Sequence, residues 1–302
     1  MSDNKKTIEM VEGMIRSMET SVEEGKQLVK QLAEREEFEK QRKAFLNCLY
    51  GSTFVGMRQV PPCGSLLGGC APRGAFWCRS SAPHAPQNLD HLSWSDIKKI
   101  NMNGETLRAF HVGDTKTVRL KNGETITLRI IGLFHDKAPD GSLIPISWEM
   151  THFLKDRHAM NEEWTNKGGW AKSDMRKYLR DEVLPLLPDD LVQVLQTTKK
   201  YTSSGEGSDK IQVTYDELFI LSEWERYGRC FYSACQEGDW YPWYAREGVS
   251  YAKTYPDGAK GWGWSRSPRG SNANYFCGVY GNANASYYIA SGSGGVAFGL
   301  CT

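Results

Sequence analysis

Residues 272–298 read NANYFCGVYGNANASYYIASGSGGVAF, and the reading of this stretch decides the fold assigned to the rest. From Arg269 to Thr302 the one charged residue is Arg269 itself, while twelve positions are Asn, Tyr or Ser. Tyrosine supplies a large amphipathic contact area while fixing only two torsions, and Ser, Asn and Gly supply adaptable hydrogen bonding, which is why antibody contact surfaces are built from them. In an unanchored tail the same composition would be disordered. Here Phe276, Val279, Ile289, Val296, Phe298 and Leu300 recur through it and can dock it onto a core. Exposed strand faces normally carry Lys, Glu, Arg and Thr, which keep sheets soluble and unpaired. A patch of aromatic and small polar groups without that protection marks a binding site.

Working back from this segment, residues 89–302 read as an α+β domain. TKTVRLKNGETITLRIIGL (115–133) has two alternating β-branched runs around Asn122-Gly123, a strong hairpin signal. WAKSDMRKYLRDEVLPLLP (170–188) offers Ser173 as an N-cap, spaces Met175, Leu179 and Val183 at helical intervals, and stops at Pro185 and Pro188. DDLVQVLQTTKKYT predicts a short helix turning into a strand, and a Ser/Gly loop follows. TYDELFILSEWERYG predicts a strand or buried turn around Leu218–Leu221 and then a short helix. Beyond Gly228 the chain is aromatic and punctuated by glycine, so short strands and loops are expected to the end.

The N-terminal third differs. Ile8, Val11, Ile15, Met18, Val22, Gly25, Val29 and Leu32 alternate three and four apart, the a/d repeat of a coiled coil that would join two or three copies of the chain. A single amphipathic helix folded on its own domain stays open as the alternative, because Gly25 weakens the seam. The expected organisation is a coiled-coil helix over 1–47, a Gly/Pro/Cys-rich linker or irregular cap over 48–88, and the α+β domain from 89. Cys48, Cys63, Cys70, Cys78 and His84 lie farther apart than the paired ligands of zinc sites, so no metal is expected. Eight cysteines with no C-x-x-C pair read as free, partly buried thiols.

Size and charge narrow the functional classes. The chain has 302 residues and a formal net charge of +1, which argues against a general electrostatic affinity for nucleic acid or anionic membranes. No stretch approaches the roughly 20 apolar residues of a membrane span, and MSDNKKTIEM lacks the apolar region of a secretory signal, so a product made in the cytoplasm is expected. The chain has no H-E-x-x-H, G-x-S-x-G or Walker loop. His135-Asp136 reads as a loop turn with a solvated carboxylate rather than a catalytic dyad, and the adjacent pairs Glu162-Glu163 and Asp189-Asp190 read as surface charge. Cys277 and Cys301, each beside an apolar residue, read as core.

GWGWSRSP (261–268), then Phe276, Val279, Gly281, Ala290 and the closing GGVAFGLC (294–301), resembles the variable region of the C-type-lectin-fold proteins diversified by retroelements. GGWAKSDMRKYL, LPDDL, TTKKYTSSG and YDELFILSEWE resemble the body of a branch found in phages and prophages of gut bacteria, and the likeness runs over about 89–302. The resemblance implies two small antiparallel sheets and two helices displaying a hypervariable surface, in which adenine mutagenesis of Asn codons changes the contact residues. Carried over by position, Trp264, Arg266, Ser267, Phe276, Val279, Gly281, Ala290, Gly295, Val296 and Phe298 match the scaffold. Ser271, Asn272, Asn274, Tyr275, Tyr280, Asn282, Asn284, Ser286, Tyr287, Tyr288, Ser291 and Ser293 match the diversified positions. Trp262 and Arg269 border the scaffold motif.

The chain departs from the pattern at Ala297-Phe298, where the family often has Arg-Pro. It also lacks the Glu-Pro-Asn and Trp-Asn-Asp triplets with which C-type lectins hold calcium and sugar, so neither calcium nor another cofactor is implied. The resemblance implies a non-enzymatic protein that binds a protein or glycan, as a virion-associated phage component or a bacterial protein. The alternatives are an enzyme of the formylglycine-generating type, which shares the broad fold, and a structural tail-associated subunit.

Overall fold

The computed structural model describes residues 85–302, and the heptads over 8–32, the 1–47 helix and nearly all of the 48–88 linker lie outside them. The hairpin signal at Asn122-Gly123 is realised as β1 (Thr115–Arg119) and β2 (Thr125–Leu133), antiparallel with Arg119 opposite Thr125. The Leu120 N–H donates to the Glu124 carbonyl at 2.8 Å, so the turn itself is Lys121-Asn122-Gly123. Gly123 sits at φ +90°, the left-handed position that ends a three-residue hairpin loop. Gln87 and Leu89 hydrogen-bond Thr115 and tie the start of the described chain to β1.

Next to β2 lies β3 (Ile146–Met150), and beyond it the last strand, β9 (Gly299–Cys301), giving the sheet order β1-β2-β3-β9. Every residue of β3 and β9 is buried, because these strands are covered on both faces. Helix α1 (Trp94–Met102) starts at a capping box of Ser93 and Asp96 and buries Trp94 and Ile97, with the Trp94 ring edge-on to Trp148 at 5.5 Å. A four-residue helix, α2 (Thr106–Ala109), follows.

Ser173 caps α3 (Asp174–Tyr178) by accepting the Arg176 N–H. The helical run then widens over Leu179–Val183 and tightens over Leu184–Leu186. Met175, Leu179 and Val183 are all buried, as their spacing predicts. Pro188 opens α4 (Asp189–Val192), which leads to β4 (Thr198–Ser203). β5 (Ile211–Asp216) pairs with β4 alone. Leu218–Leu221 is a buried turn that bridges to β9 through Phe219 and Gly299. Ser222 and Glu225 form a capping box on α5 (Glu223–Tyr227). Finally β6 (Gly263–Pro268), β7 (Tyr275–Val279) and β8 (Ala285–Ile289) form a third antiparallel sheet.

The fold is therefore α+β, as expected, with antiparallel sheets and short helices. It is more divided than the resemblance implies, with three sheets and five short α-helices among the described residues. Among these residues no helix is long and apolar enough to cross a membrane.

Asp136 corrects one expectation. Its carboxylate is not solvated but 6 % exposed, and it accepts Lys200 Nζ at 2.7 Å, Ser147 Oγ at 2.6 Å and the Tyr241 hydroxyl at 2.7 Å. A buried charge persists when it is paired and hydrogen-bonded, and here β4 supplies the pair. Burial works to raise the Asp136 pKa, but the Lys200 ammonium and His135 outweigh it and hold the carboxyl well below the usual range.

Two more buried carboxylates behave likewise. Against burial, Lys253 and Arg226 keep Glu149 depressed, and Arg266 and Lys200 keep Glu225 depressed. For Lys253 burial outweighs the ion pair and draws its ammonium down to about 8, whereas Glu149 has Arg226 as a second cation. Carboxyls depressed on folding stabilise the protein above their ordinary values of 3.8 and 4.5, and that contribution drains away as pH falls from there through the folded-state values. Glu237, raised by burial, acts in the opposite sense: its contribution weakens the fold as pH rises from 4.5. Three groups oppose one, so the urea midpoint at pH 3.5 falls below that at pH 7.

Candidate ligand-binding face

The register of β7 and β8 sorts the 272–298 residues onto two sides of a sheet. Tyr275 is opposite Ile289, Cys277 opposite Tyr287 and Val279 opposite Ala285; between them Phe276 pairs with Tyr288 and Gly278 with Ser286. Paired residues share a side and successive residues alternate, so Tyr275 and Tyr287 stand on one side and Tyr288 on the other. The adjacent Tyr287 and Tyr288 thus belong to different surfaces.

Burial separates the two residue sets named from the sequence. Nine of the ten scaffold positions are buried and Gly281 is half-buried. Of the twelve variable positions, Ser271, Asn272, Asn274, Tyr280, Asn282, Asn284 and Ser293 are exposed, and Tyr275, Tyr287, Tyr288 and Ser291 half-buried. Ser286 alone is buried, facing Gly278 in mid-sheet. The exposed positions gather mainly in two loops, 269–274 before β7 and 280–284 after it, about 20 Å apart along the strand at 3.3 Å per residue.

The same N-A-N triplet turns the chain in both loops. The side-chain oxygen of Asn272 accepts the Asn274 N–H at 2.8 Å, and that of Asn282 accepts the Asn284 N–H at 3.1 Å. These are Asx-turns, so Asn272 and Asn282 shape their loops as well as facing outward.

The first loop is fastened by a residue that the sequence gives no reason to select. Asn166 is fully buried, and its side-chain amide donates to the carbonyls of Asn272 at 3.0 Å, Tyr275 at 2.8 Å and Arg269 at 3.4 Å. Its backbone N–H donates to the Ala273 carbonyl at 2.6 Å, and its side-chain oxygen accepts the Glu206 N–H at 2.8 Å. All its bonds to the loop end on backbone carbonyls, which leaves the loop side chains uncommitted.

On the Tyr275 side, the Arg269 guanidinium lies 3.5 Å from the Tyr287 ring centroid and 5.5 Å from that of Tyr275. Tyr232 meets the Tyr287 ring edge-on at 4.9 Å. On the other side Trp262 stacks on Tyr288 with centroids 3.6 Å apart, and Tyr280 approaches Tyr288 at 5.5 Å. Gly294 lies directly beneath Trp262, where any Cβ would collide with the indole ring. Trp264 is fixed by its indole N–H to the His158 carbonyl at 2.7 Å.

Beneath the sheet, Arg266 is fully buried and grips both oxygens of Glu225 while donating to the carbonyls of Ile220, Tyr201 and Glu237. Glu225 also lies 3.4 Å from Lys200, which links the scaffold arginine to the Asp136 cluster.

Cys277 and Cys301 are buried, and burial raises both thiols well above their ordinary value. Cys230 and Cys235 are half-buried; burial raises both, Cys235 to about 12. Alkylation needs the thiolate. In the folded protein at pH 7 these four cysteines should therefore react with iodoacetamide at least about tenfold more slowly than in urea, read by mass spectrometry. Among the described residues no group of three His, Cys, Asp or Glu side chains is placed to hold a metal ion. Glu162, Glu163, Asp189 and Asp190 are exposed, as their spacing suggests.

A family model described as "Domain of unknown function (DUF6273)" matches residues 146–297, from β3 to the segment entering β9. No curated protein and no solved structure matches the chain.

Proposed function

Since the chain belongs to the family described as a domain of unknown function (DUF6273), we propose its function from the face itself: it binds a macromolecular ligand through the residues of loops 269–274 and 280–284 and the tyrosines between them. The observation that carries this reading is the division of one segment into a buried set and an outward set. Trp264, Arg266, Phe276, Val279, Val296 and Phe298 are packed away, while eleven of the twelve Asn, Tyr and Ser positions reach solvent wholly or in part. The loop backbone is held from below by Asn166, so replacing the outward side chains need not disturb the chain path.

In this reading the segment is a retroelement-diversified surface on a C-type-lectin-like head. The last strand, β9, returning beside β3 after an inserted third sheet is compatible with that head. The heptads over 8–32 would join several heads, and linked weak sites gain avidity without new contacts. Against the formylglycine-generating alternative stand the Cys277 and Cys301 thiols, both buried and both held protonated.

The test is the DNA flanking the gene. The expected result is a near-copy of the 3′ coding segment differing at adenines, beside a reverse transcriptase. Absence of a copy together with ordinary variation at the Asn codons removes the diversification reading.

A further inference from the structure

The loop Gly228–Gln236 lies more than thirty residues before β7, and no motif in it draws attention. It nevertheless runs against the Tyr275 side of the third sheet. Ser233 bridges to Arg269, and the Gly270 N–H donates to the Tyr232 carbonyl at 2.8 Å. The Tyr232 ring meets Tyr287. Phe231 and Tyr232 are nonetheless 49 % and 36 % exposed. Arg229 lies over the Phe231 ring at 5.0 Å, and Tyr227 meets the same ring edge-on at 5.4 Å.

The loop is held rigid by one carboxylate. Glu223, 1 % exposed at the start of α5, accepts the backbone N–H groups of Phe231 at 3.0 Å, Tyr232 at 3.0 Å and Ser233 at 2.8 Å, and the Ser233 hydroxyl at 2.8 Å. Its own N–H donates to Ser267 Oγ at 2.9 Å, on the strand carrying the scaffold motif. Charge-assisted bonds of this kind are about twice as strong as neutral ones. Two exposed aromatic rings on a pinned backbone lose little freedom on binding, and such rings are the usual anchors of protein interfaces.

We propose that Phe231 and Tyr232 are a fixed half of the ligand-binding face, beside the Tyr275 and Tyr287 half, and that the partner is a folded protein presenting an acidic patch. The acidic preference follows from charge complementarity: Arg229 is the only charged residue of 228–236, and Arg269 the only one of 269–302, so both facing segments are cationic. The inference rests on the ligand-binding reading above and adds to it a constant anchor and the character of the partner.

The test displays the full chain on yeast with Ser271, Asn272, Asn274, Tyr275 and Tyr287 randomised and residues 228–236 unchanged. The library is selected in parallel against calmodulin, an acidic probe, and lysozyme, a basic one. The expected result is a several-fold excess of calmodulin binders, most of which lose at least tenfold in affinity on Phe231→Ala or Tyr232→Ala while their melting temperatures hold. Tyr232→Phe, which keeps the ring, restores most of the affinity. Calmodulin binders indifferent to both alanine variants overturn the anchor, and equal recovery in the two arms overturns the acidic partner. A library with no binder to either probe overturns the ligand-binding reading itself, and this inference with it.

Discussion

Asn166→Ala should destabilise the domain by about 3 kcal/mol, since each buried group deprived of a hydrogen-bond partner costs roughly 1 to 3 kcal/mol: the Asn272 and Arg269 carbonyls and the Glu206 N–H lose this partner, while the Tyr275 carbonyl keeps the Arg269 N–H. The amide now serves the carbonyls of Asn272, Tyr275 and, at longer range, Arg269, and accepts from Glu206. For a domain of this size each kcal/mol moves the melting temperature by about 2 to 4 °C, so calorimetry should read a fall of about 6 to 12 °C. Hydrogen exchange makes the test local: amides of 269–275 should exchange faster than those of β1 and β2. Uniform acceleration would mean that Asn166 supports the whole fold rather than this loop.

Arg266→Met should cost about 3 to 5 kcal/mol, the usual penalty for breaking a buried ion pair from one side. Glu225 would keep only the more distant Lys200 as a cation, the carbonyls of Ile220 and Tyr201 would lose this donor, and the Glu237 carbonyl would be left with the Ser222 hydroxyl. Arg266→Met combined with Glu225→Gln should be less damaging than the two single effects summed, by about 1 to 3 kcal/mol, because neither charge is then stranded. Glutamine at 225 can still complete the capping box of α5. A double variant that simply sums the single losses, measured by urea unfolding, would show that the pair is not coupled.

The parts of the fold legible in the sequence are those whose cause is local. Asn122-Gly123 sets its own turn, Ser173 caps the helix that begins beside it, and Phe276 and Val279 are apolar residues of one short strand. What was not legible depends on partners distant in the chain. Asp136 looked solvated because Lys200 is 64 residues away. Asn166, in the polar run EEWTNKGG, has no periodic or compositional mark, and its role appears only when 272 and 275 are brought to it. Glu223 reads as a first-turn acid of α5, yet its carboxylate reaches forward to Phe231, Tyr232 and Ser233. The division of Tyr287 from Tyr288 needed only the strand assignment, since alternation does the rest.

The way the 269–275 loop is held bears on how this protein can change over generations. Asn166 reads the loop through carbonyl oxygens, which every amino acid possesses, and through none of its side chains. Heritable variety at Ser271, Asn274 and Tyr275 should therefore leave the melting temperatures of family variants in a narrow band, however different their surfaces. Asn272 and Asn282 are where that tolerance narrows, because Asp or Ser can renew the Asx-turn and a bulky apolar residue cannot. A molecule arranged in this way can explore new surfaces with little risk of losing its shape.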